Sequence, residues 1–330
     1  MNELYPLRFR PIIKDKIWGG SKLKNLLHKK EATEKSGESW EISGVEGDIS
    51  EVANGFLAGN SLDELIDVYM GDLVGQRVFE EFGNQFPLLI KYIDASDDLS
   101  IQVHPNDALA AERHQSFGKT EMWYVVQADS DARMLVGFNQ AVDKTIYLDK
   151  LQNNQVLDIM NRDSVQLGDV YFIPAGRIHA IGKGCLVAEI QQTSDITYRI
   201  YDFDRRDEKG IARELHTAQA LDAIDFSFSK EYKTPYKKKS NTATELVDCT
   251  YFQTNLLQLN DALERDMHEI DSFVIYLCVS GKAEIVTDNK VRTPIEKGET
   301  VMVPAEIGHY YIYASPAAEL LEVYIGNPGE

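Results

Sequence analysis

Basic residues are in short supply. The 330-residue chain has 34 Lys and Arg against 53 Asp and Glu, a formal net charge of -19 at pH 7. A surface so acidic repels phosphate backbones, which argues against nucleic acid as a partner. A phosphorylated ligand would need a local basic pocket. Cysteine is scarcer still: Cys185, Cys249 and Cys278 are far apart, odd in number, and form no C-x-x-C pair. That leaves no sign of a disulfide framework or a cysteine zinc site, and it fits a reducing compartment. Long apolar runs are missing too. "FVIYLCV" at 273–279 is strand-sized, far short of the roughly 20 residues of a spanning helix. The opening "MNELYPLRFRPIIKDK" carries charges where a signal core would be apolar. The expectation is a cytoplasmic protein with no membrane partner.

Helical periodicity is sparse as well. "SLDELIDVYM" begins with Ser61 as an N-cap, and Glu64 completes a capping box. "TIYLDKLQNNQVLDIMNRD" predicts one or two short helices. "RELHTAQALDAIDF" predicts another, with Leu215, Ala218, Leu221 and Ile224 along one face. What is abundant is short apolar or alternating runs between Gly, Asp and Asn: "FPLLIKYIDA", "EMWYVV", "RMLVGF", "DVYFIPA", "CLVAEIQQ" and "ITYRIYDF". This pattern predicts a mainly β chain, an antiparallel barrel or sandwich with added helices. The lysine-rich "SKEYKTPYKKKSNTATE" at 229–245 lacks apolar periodicity, and we read it as a solvated linker at a domain boundary. On either side of it, Gly168, Pro174 and His179 recur at identical offsets as Gly298, Pro304 and His309. One fold used twice is the expectation.

The chemistry begins at "LSIQVHPND", 99–107. Strand geometry puts Leu99, Ile101 and Val103 on one side and Ser100, Gln102 and His104 on the other. Glu121 opens "EMWYVV", where a carboxylate is costly to bury without a partner. His179 follows a Pro-Ala-Gly turn that would hold it firmly. Two imidazoles, a carboxylate and an amide oxygen form a four-ligand set suited to zinc, although two His and a carboxylate also describe a non-haem iron site.

"GDVYFIPAGRIH" resembles the second motif of the cupins, and the chain resembles the class I mannose-6-phosphate isomerases in their short bacterial form. The matching stretches are "YPLRFRPIIKDKIWGG", "GESWEISG", "VANGFLAGNSLDEL", "LSIQVHPND", "GKTEMWYV", "YFIPAGRIHAIG" and "DITYRIYDFDRRD". The resemblance implies two cupin-type jelly-roll β-barrels with added helices. Residues 1–235 would form a catalytic metal-binding domain, and 236–330 a C-terminal barrel without a metal site. It implies one Zn²⁺ per chain on His104, Glu121 and His179, with Gln102 a further ligand used by some members. Arg199 falls on the family's active-site arginine; Lys119 and Glu189 fall on pocket positions. The large helical insertion of the longer eukaryotic forms is absent.

The implied substrate is a small sugar phosphate, with mannose 6-phosphate and fructose 6-phosphate interconverted through an enediol or enediolate. That reaction needs a base, a stabilised oxyanion and a cationic clamp. Glu189 shares a strand face with Cys185, Val187 and Gln191 and is the candidate base; Arg199 and Lys119 would stabilise charge. The competing readings are an iron-dependent cupin dioxygenase, which leaves Lys119 and Arg199 without a role, and a non-catalytic sugar-binding cupin. "DMHEIDSFVIYLCVSGKAEIV" offers His268 and Glu269 near His309 but neither the "QVH" spacing nor a Glu opening the next strand. His28, His114 and His216 are read as structural. Trp18, in "KIWGG", has paired glycines that let a ligand or another chain segment approach closely. Nothing in the chain specifies an oligomeric state.

Overall fold

The structure, a computed structural model, describes residues 3–207 and 209–326. Its strands are β1 (Ile12–Gly20), β2 (Ser36–Ser43), β3 (Leu88–Asp94), β4 (Ile101–Val103), β5 (Glu121–Ala128), β6 (Arg133–Phe138), β7 (Met160–Ser164), β8 (Val170–Ile173), β9 (His179–Ile181), β10 (Cys185–Gln192) and β11 (Tyr198–Tyr201). Then follow β12 (Ala243–Asp248), β13 (Gln253–Leu259), β14 (Ala262–Asp266), β15 (Val274–Thr287), β16 (Arg292–Glu296), β17 (Thr300–Val303) and β18 (His309–Tyr324). The helices are short: α1 (Lys22–Asn25), α2 (Leu62–Tyr69), α3 (Gly71–Val74), α4 (Gln76–Phe82), α5 (Asp107–His114), α6 (Lys144–Gln152) and α7 (Thr217–Ala223). No helix among the described residues is long and apolar enough to cross a membrane.

The molecule is mainly β, as expected. Antiparallel pairing builds three sheets, in the orders β1-β2-β3-β10-β5-β8, β11-β4-β9-β6-β7 and β12-β13-β18-β15-β16, with β14 added on β18 and β17 on β15. The ladders are open. The expected barrels do not close as hydrogen-bonded rings: among the described residues, no strand pairing joins the edge strands β1 and β8 of the first sheet to β11 and β7 of the second.

Alternation along the strands assigns the faces. On β10, Leu186, Ala188 and Ile190 enter one apolar cluster, while Cys185 and Val187 enter another between the first two sheets. β5 does the same, with Met122, Tyr124 and Val126 on one side and Trp123 and Val125 on the other. From the second sheet, Ile181, Met134 and Val136 meet that inner cluster, while Ile101, Val103 and Ala180 face outward. The two sheets thus enclose a layer that is apolar at one end. At the other end the same inward positions carry Glu121, Glu189, Gln102 and His179.

The Ser61 N–H donates to Glu64 at 3.0 Å, as the capping box requires. The "TIYLDK" stretch divides into α6 and a 3-10 turn over Val156–Ile159. The third helix departs from expectation. α7 begins only at Thr217, Leu215 is 48% exposed, and the buried contacts are Ala220 and Ile224. Leu215 precedes the helix, so the spacing that included it never forms one face. The 229–245 stretch is no solvated linker either. The Tyr232 ring is buried and its hydroxyl bridges the Phe138 N–H and carbonyl at 3.1 and 3.0 Å. Tyr236 donates to the Gly168 carbonyl at 2.6 Å, and Lys233 pairs with Asp169 at 2.7 Å. Polar composition concealed two aromatic anchors.

The internal repeat is structural. β8, its turn and β9 recur as β17, its turn and β18 at the same offsets. Gly168 and Gly298 both take a left-handed φ, +88° and +89°, which favours glycine. Strand register extends the match: Gln102 pairs with His179 as Asp266 pairs with His309, and Trp123 with Glu189 as Tyr276 with Glu322. "DMH" therefore stands in the register of "QVH", with His268 in the place of His104, which the residue types had hidden. Val274, opposite Val303, takes the place of Glu121, opposite Ile173. The second copy lacks the carboxylate, and His309 instead binds Asp288 at 2.8 Å and Glu264 at 2.9 Å.

Candidate metal centre

Pro105 and the start of α5 end β4 just past His104, and the Asn106 side chain caps that helix through the Leu109 N–H at 3.0 Å. His104 is thereby aimed inward. Its Nδ1 donates to the Ile196 carbonyl at 2.9 Å, and the His179 Nδ1 donates to the Arg177 carbonyl at 2.8 Å. With Nδ1 carrying the hydrogen, each ring turns an Nε2 lone pair toward Glu121. The His104 Nε2 lies 3.5 Å and the His179 Nε2 3.4 Å from the carboxylate oxygens. All three residues are buried, and one ligand atom from each lies within 4.8 Å of the others. Gln102 lies beside the three, its amide 3.3 Å from the His179 Nε2. A half-turn of that amide would present its oxygen instead.

These atoms are badly matched to one another. The His104 Nε2 and both Glu121 oxygens are buried without a hydrogen-bond partner. Burial holds His104 well below the usual imidazole range and pushes His179 down to about 4, so neither ring is a cation. The close His–Glu contacts are therefore not ion pairs. Burial, aided by Glu189, pushes Glu121 up to about 8. A divalent cation fits: it would give every orphaned atom a partner and favour the charged carboxylate.

Beside the cluster lies a cavity of about 270 Å³. Lys16, Lys91, Lys119, Arg199 and Arg213 line it against Glu38, Glu189 and Asp195. In a chain so acidic, this is the local basic pocket that a phosphorylated ligand requires. Lys119 Nζ is 3.4 Å from Glu121, so it links cavity and cluster. Arg199 pairs in register with Gln102, which pairs with His179, placing the three in one row across β11, β4 and β9. Arg199 donates to the Glu214 carbonyl at 2.9 Å, while its Nε is buried and unpartnered. A second row crosses β3, β10 and β5 as Lys91, Glu189 and Trp123. Lys91 Nζ lies 3.2 Å from Glu189, and Trp123 Nε1 donates to its other oxygen at 2.8 Å. Burial would raise Glu189, but Lys91 and Lys119 outweigh it and hold the carboxylate below its usual range. Burial would likewise depress Lys91, but Glu189 and Glu38 hold it well above the lysine range.

All seven residues singled out from sequence thus come together. Reasoning from sequence missed Lys91, Glu38, Asp195 and Arg213; Lys91 was hidden inside the apolar run "FPLLIKYIDA", where only its distant partners Glu189 and Gln191 explain it. Trp18 does line the cavity. Its paired glycines serve a chain segment, since a Cβ on Gly19 would meet the Lys35 carbonyl at 2.2 Å. His114 and His216 are held by Tyr198 and the Arg199 N–H, at 2.7 and 3.1 Å.

Fold and site together define a cupin-like β protein with one buried His-Glu-His cluster able to hold a metal ion beside a cationic cavity. The model for the type I phosphomannose isomerase catalytic domain matches residues 7–132, and that for the mannose-6-phosphate isomerase cupin domain matches 242–324. His179, Glu189 and Arg199 fall between the two. Mannose-6-phosphate isomerase ManA of Bacillus subtilis is 33% identical, over 92% of this chain and 95% of its own. Mannose-6-phosphate isomerase of Streptococcus mutans is 33% identical, over 92% and 93%. The crystal structure of the mannose 6-phosphate isomerase from Bacillus subtilis superposes with a TM-score of 0.86 at 32% identity, covering 97% of this chain and 99% of that one. The chain belongs to the type I mannose-6-phosphate isomerase family of enzymes.

Proposed function

We propose that the chain interconverts D-mannose 6-phosphate and D-fructose 6-phosphate, with one Zn²⁺ held by His104, Glu121, His179 and Gln102. The observation that carries this reading is adjacency: a cluster of orphaned metal-ligating atoms adjoins, at Lys119 and Gln102, a basic cavity in an acidic protein. When bound, the metal supplies Lewis-acid stabilisation of the charge that develops on the sugar's oxygens. Glu189 carries the proton between C2 and C1. Its depressed pKa makes it a weak base in the free protein, but a phosphate dianion arriving among the cations cancels part of that field and raises it toward a useful value. Arg199, with its Nε free, and Lys119 stabilise the phosphate and the enediolate. The tight enclosure of Glu189 and Lys91 keeps water from competing for the proton.

The same reading makes residues 1–235 the catalytic unit and 236–330 a second cupin-type barrel. Val274 in place of Glu121 and the hydrogen-bonded His309 support a metal-free role for that barrel. Three unpaired cysteines support a cytoplasmic location. The deciding experiment follows mannose 6-phosphate in D₂O by NMR with the purified protein, before and after chelation and after zinc is restored. Fructose 6-phosphate should appear, stop and return in step with the metal; folded, zinc-loaded protein that makes none would refute the proposal. Iron that supports turnover where zinc does not would move the metal assignment. In Glu189→Gln, kcat should fall about 10²- to 10⁴-fold, the span of general base catalysis, with bound metal retained. Unchanged turnover would remove Glu189 from the role.

A further inference from the structure

The geometry points to Trp123 as a positioning residue that ties the proton-carrying carboxylate to a metal ligand. The inference deepens the proposed function and rests on Glu189 as the group that moves the proton. The indole is fully buried. Its Nε1–H donates to Glu189 at 2.8 Å, and its ring meets the His179 imidazole at 77°, with centroids 5.3 Å apart. One rigid side chain therefore touches two groups that come from different sheets. Glu189 also meets Lys91, at 3.2 Å. Lys91 sets its charge, but an ammonium on a flexible stem does little to fix a carboxylate's plane. The indole N–H has one direction, so it selects which oxygen it holds and leaves the other to Lys91, at the cavity wall.

The second copy of the fold supports this independently. At the same register Tyr276 pairs with Glu322 and donates its hydroxyl at 2.8 Å. Asn255 stands where Lys91 does and donates to Glu322 at 3.0 Å. An aromatic donor on the neighbouring strand is thus how this fold holds a carboxylate on its inner face. In the second copy Arg265 then clamps Glu322 through two bonds of 2.9 Å, which leaves it no free oxygen. In the first copy Ile101 stands where Arg265 does, so that two-bond clamp is missing; Lys91 alone meets the second oxygen, and the carboxylate lines the cavity.

The test uses the full-length, metal-loaded enzyme with Trp123→Phe, Trp123→Tyr and Glu189→Gln. It measures kcat, KM, bound metal and the primary isotope effect on kcat with mannose 6-phosphate deuterated at C2. Phenylalanine keeps a ring against His179 and removes the donor. The expected result is a kcat loss of about tenfold, with KM and bound metal within about twofold, the scale of one hydrogen bond to a charged group. The isotope effect should rise, because proton transfer becomes the slower step. Tyrosine, which carries its hydroxyl as Tyr276 does, should recover part of kcat. Wild-type kcat in Trp123→Phe beside an inactive Glu189→Gln overturns the inference and leaves the base assignment standing. A loss that tracks lost metal also overturns it, making Trp123 a packing residue. Full turnover in Glu189→Gln removes both. If neither Trp123 variant folds, the ¹⁵N-indole resonances decide. The chain has three tryptophans, and the Trp123 signal should be exchange-protected and should move in Glu189→Gln; a signal that stays in place overturns the inference.

Discussion

At the scale of single residues, the cluster makes the metal-free protein sensitive to pH in a direction that can be worked out. Glu121 is raised from an ordinary value near 4.5 to about 8. The folded chain therefore binds more protons at this site than the unfolded one across that window, and stability falls as pH rises through it. His179 is lowered from near 6.5 to about 4, and His104 is also lowered. These act the other way: the unfolded chain takes up their protons, so their contribution is lost as pH falls below about 6.5. Above 6.5 only the Glu121 contribution remains. With metal bound the carboxylate is charged throughout and the slope disappears. The gap in thermal stability between metal-loaded and chelated protein should therefore widen from pH 6.5 to 8, by up to about 1.4 kcal/mol per pH unit. Chelated Glu121→Gln should show no such slope. A gap that stays flat in scanning calorimetry across this range would contradict the assignment. The candidate ligands were legible in the chain because period-two alternation places Gln102 and His104 on one face. Lys91 was not, because it is explained only by partners distant in sequence, Glu189 and Gln191.

At the scale of elements, strand parity says that Glu189 shares a face with Cys185 and Val187, but not which face is inside. The answer comes from a second sheet packing over that face, which is tertiary information. Short apolar runs were read correctly as strands because their bounding Gly, Asp and Asn are turn formers. The lysine-rich stretch after α7 was misread for the complementary reason: two tyrosines among many polar residues give no periodic signal, yet each finds a backbone partner across the chain. Tyr232 shows the consequence. Its hydroxyl both accepts from the Phe138 N–H and donates to the Phe138 carbonyl. Tyr232→Phe keeps the ring and leaves both backbone groups unpaired, so it should cost about 1–3 kcal/mol. Urea titration measures that loss, while KM for the sugar phosphate should stay unchanged because the strap lies outside the cavity. A midpoint equal to wild type would show that the segment is held by its lysine pairs instead.

At the scale of the whole molecule, the chain reads as two copies joined by a linker, but the core does not divide there. Ile90, Met122, Tyr124 and Ile190 from the first sheet share one buried cluster with Leu256, Ile275, Leu277 and Leu321 from the third. The Tyr92 hydroxyl also crosses, donating to the Cys278 carbonyl at 3.1 Å. Neither sheet can keep its outer face dry without the other, so the two copies should unfold together. The tryptophans make this testable, since Trp18, Trp40 and Trp123 all precede the linker and their fluorescence reports only the first copy. Leu321 lies on β18 in the second copy and is fully buried. Leu321→Ala cuts a buried isobutyl side chain back to a methyl group and should cost about 2–5 kcal/mol. If the core is shared, the urea midpoint seen by tryptophan fluorescence should fall as far as the midpoint seen by far-UV circular dichroism. A fluorescence midpoint that stays at wild type while the circular dichroism splits into two transitions would mean independent copies. The second copy would then owe its presence to something other than supporting the site. Coincident shifts would mean that a second copy with no carboxylate at its Val274 position still serves catalysis, by holding the back of the sheet that carries Glu121, Trp123 and Glu189.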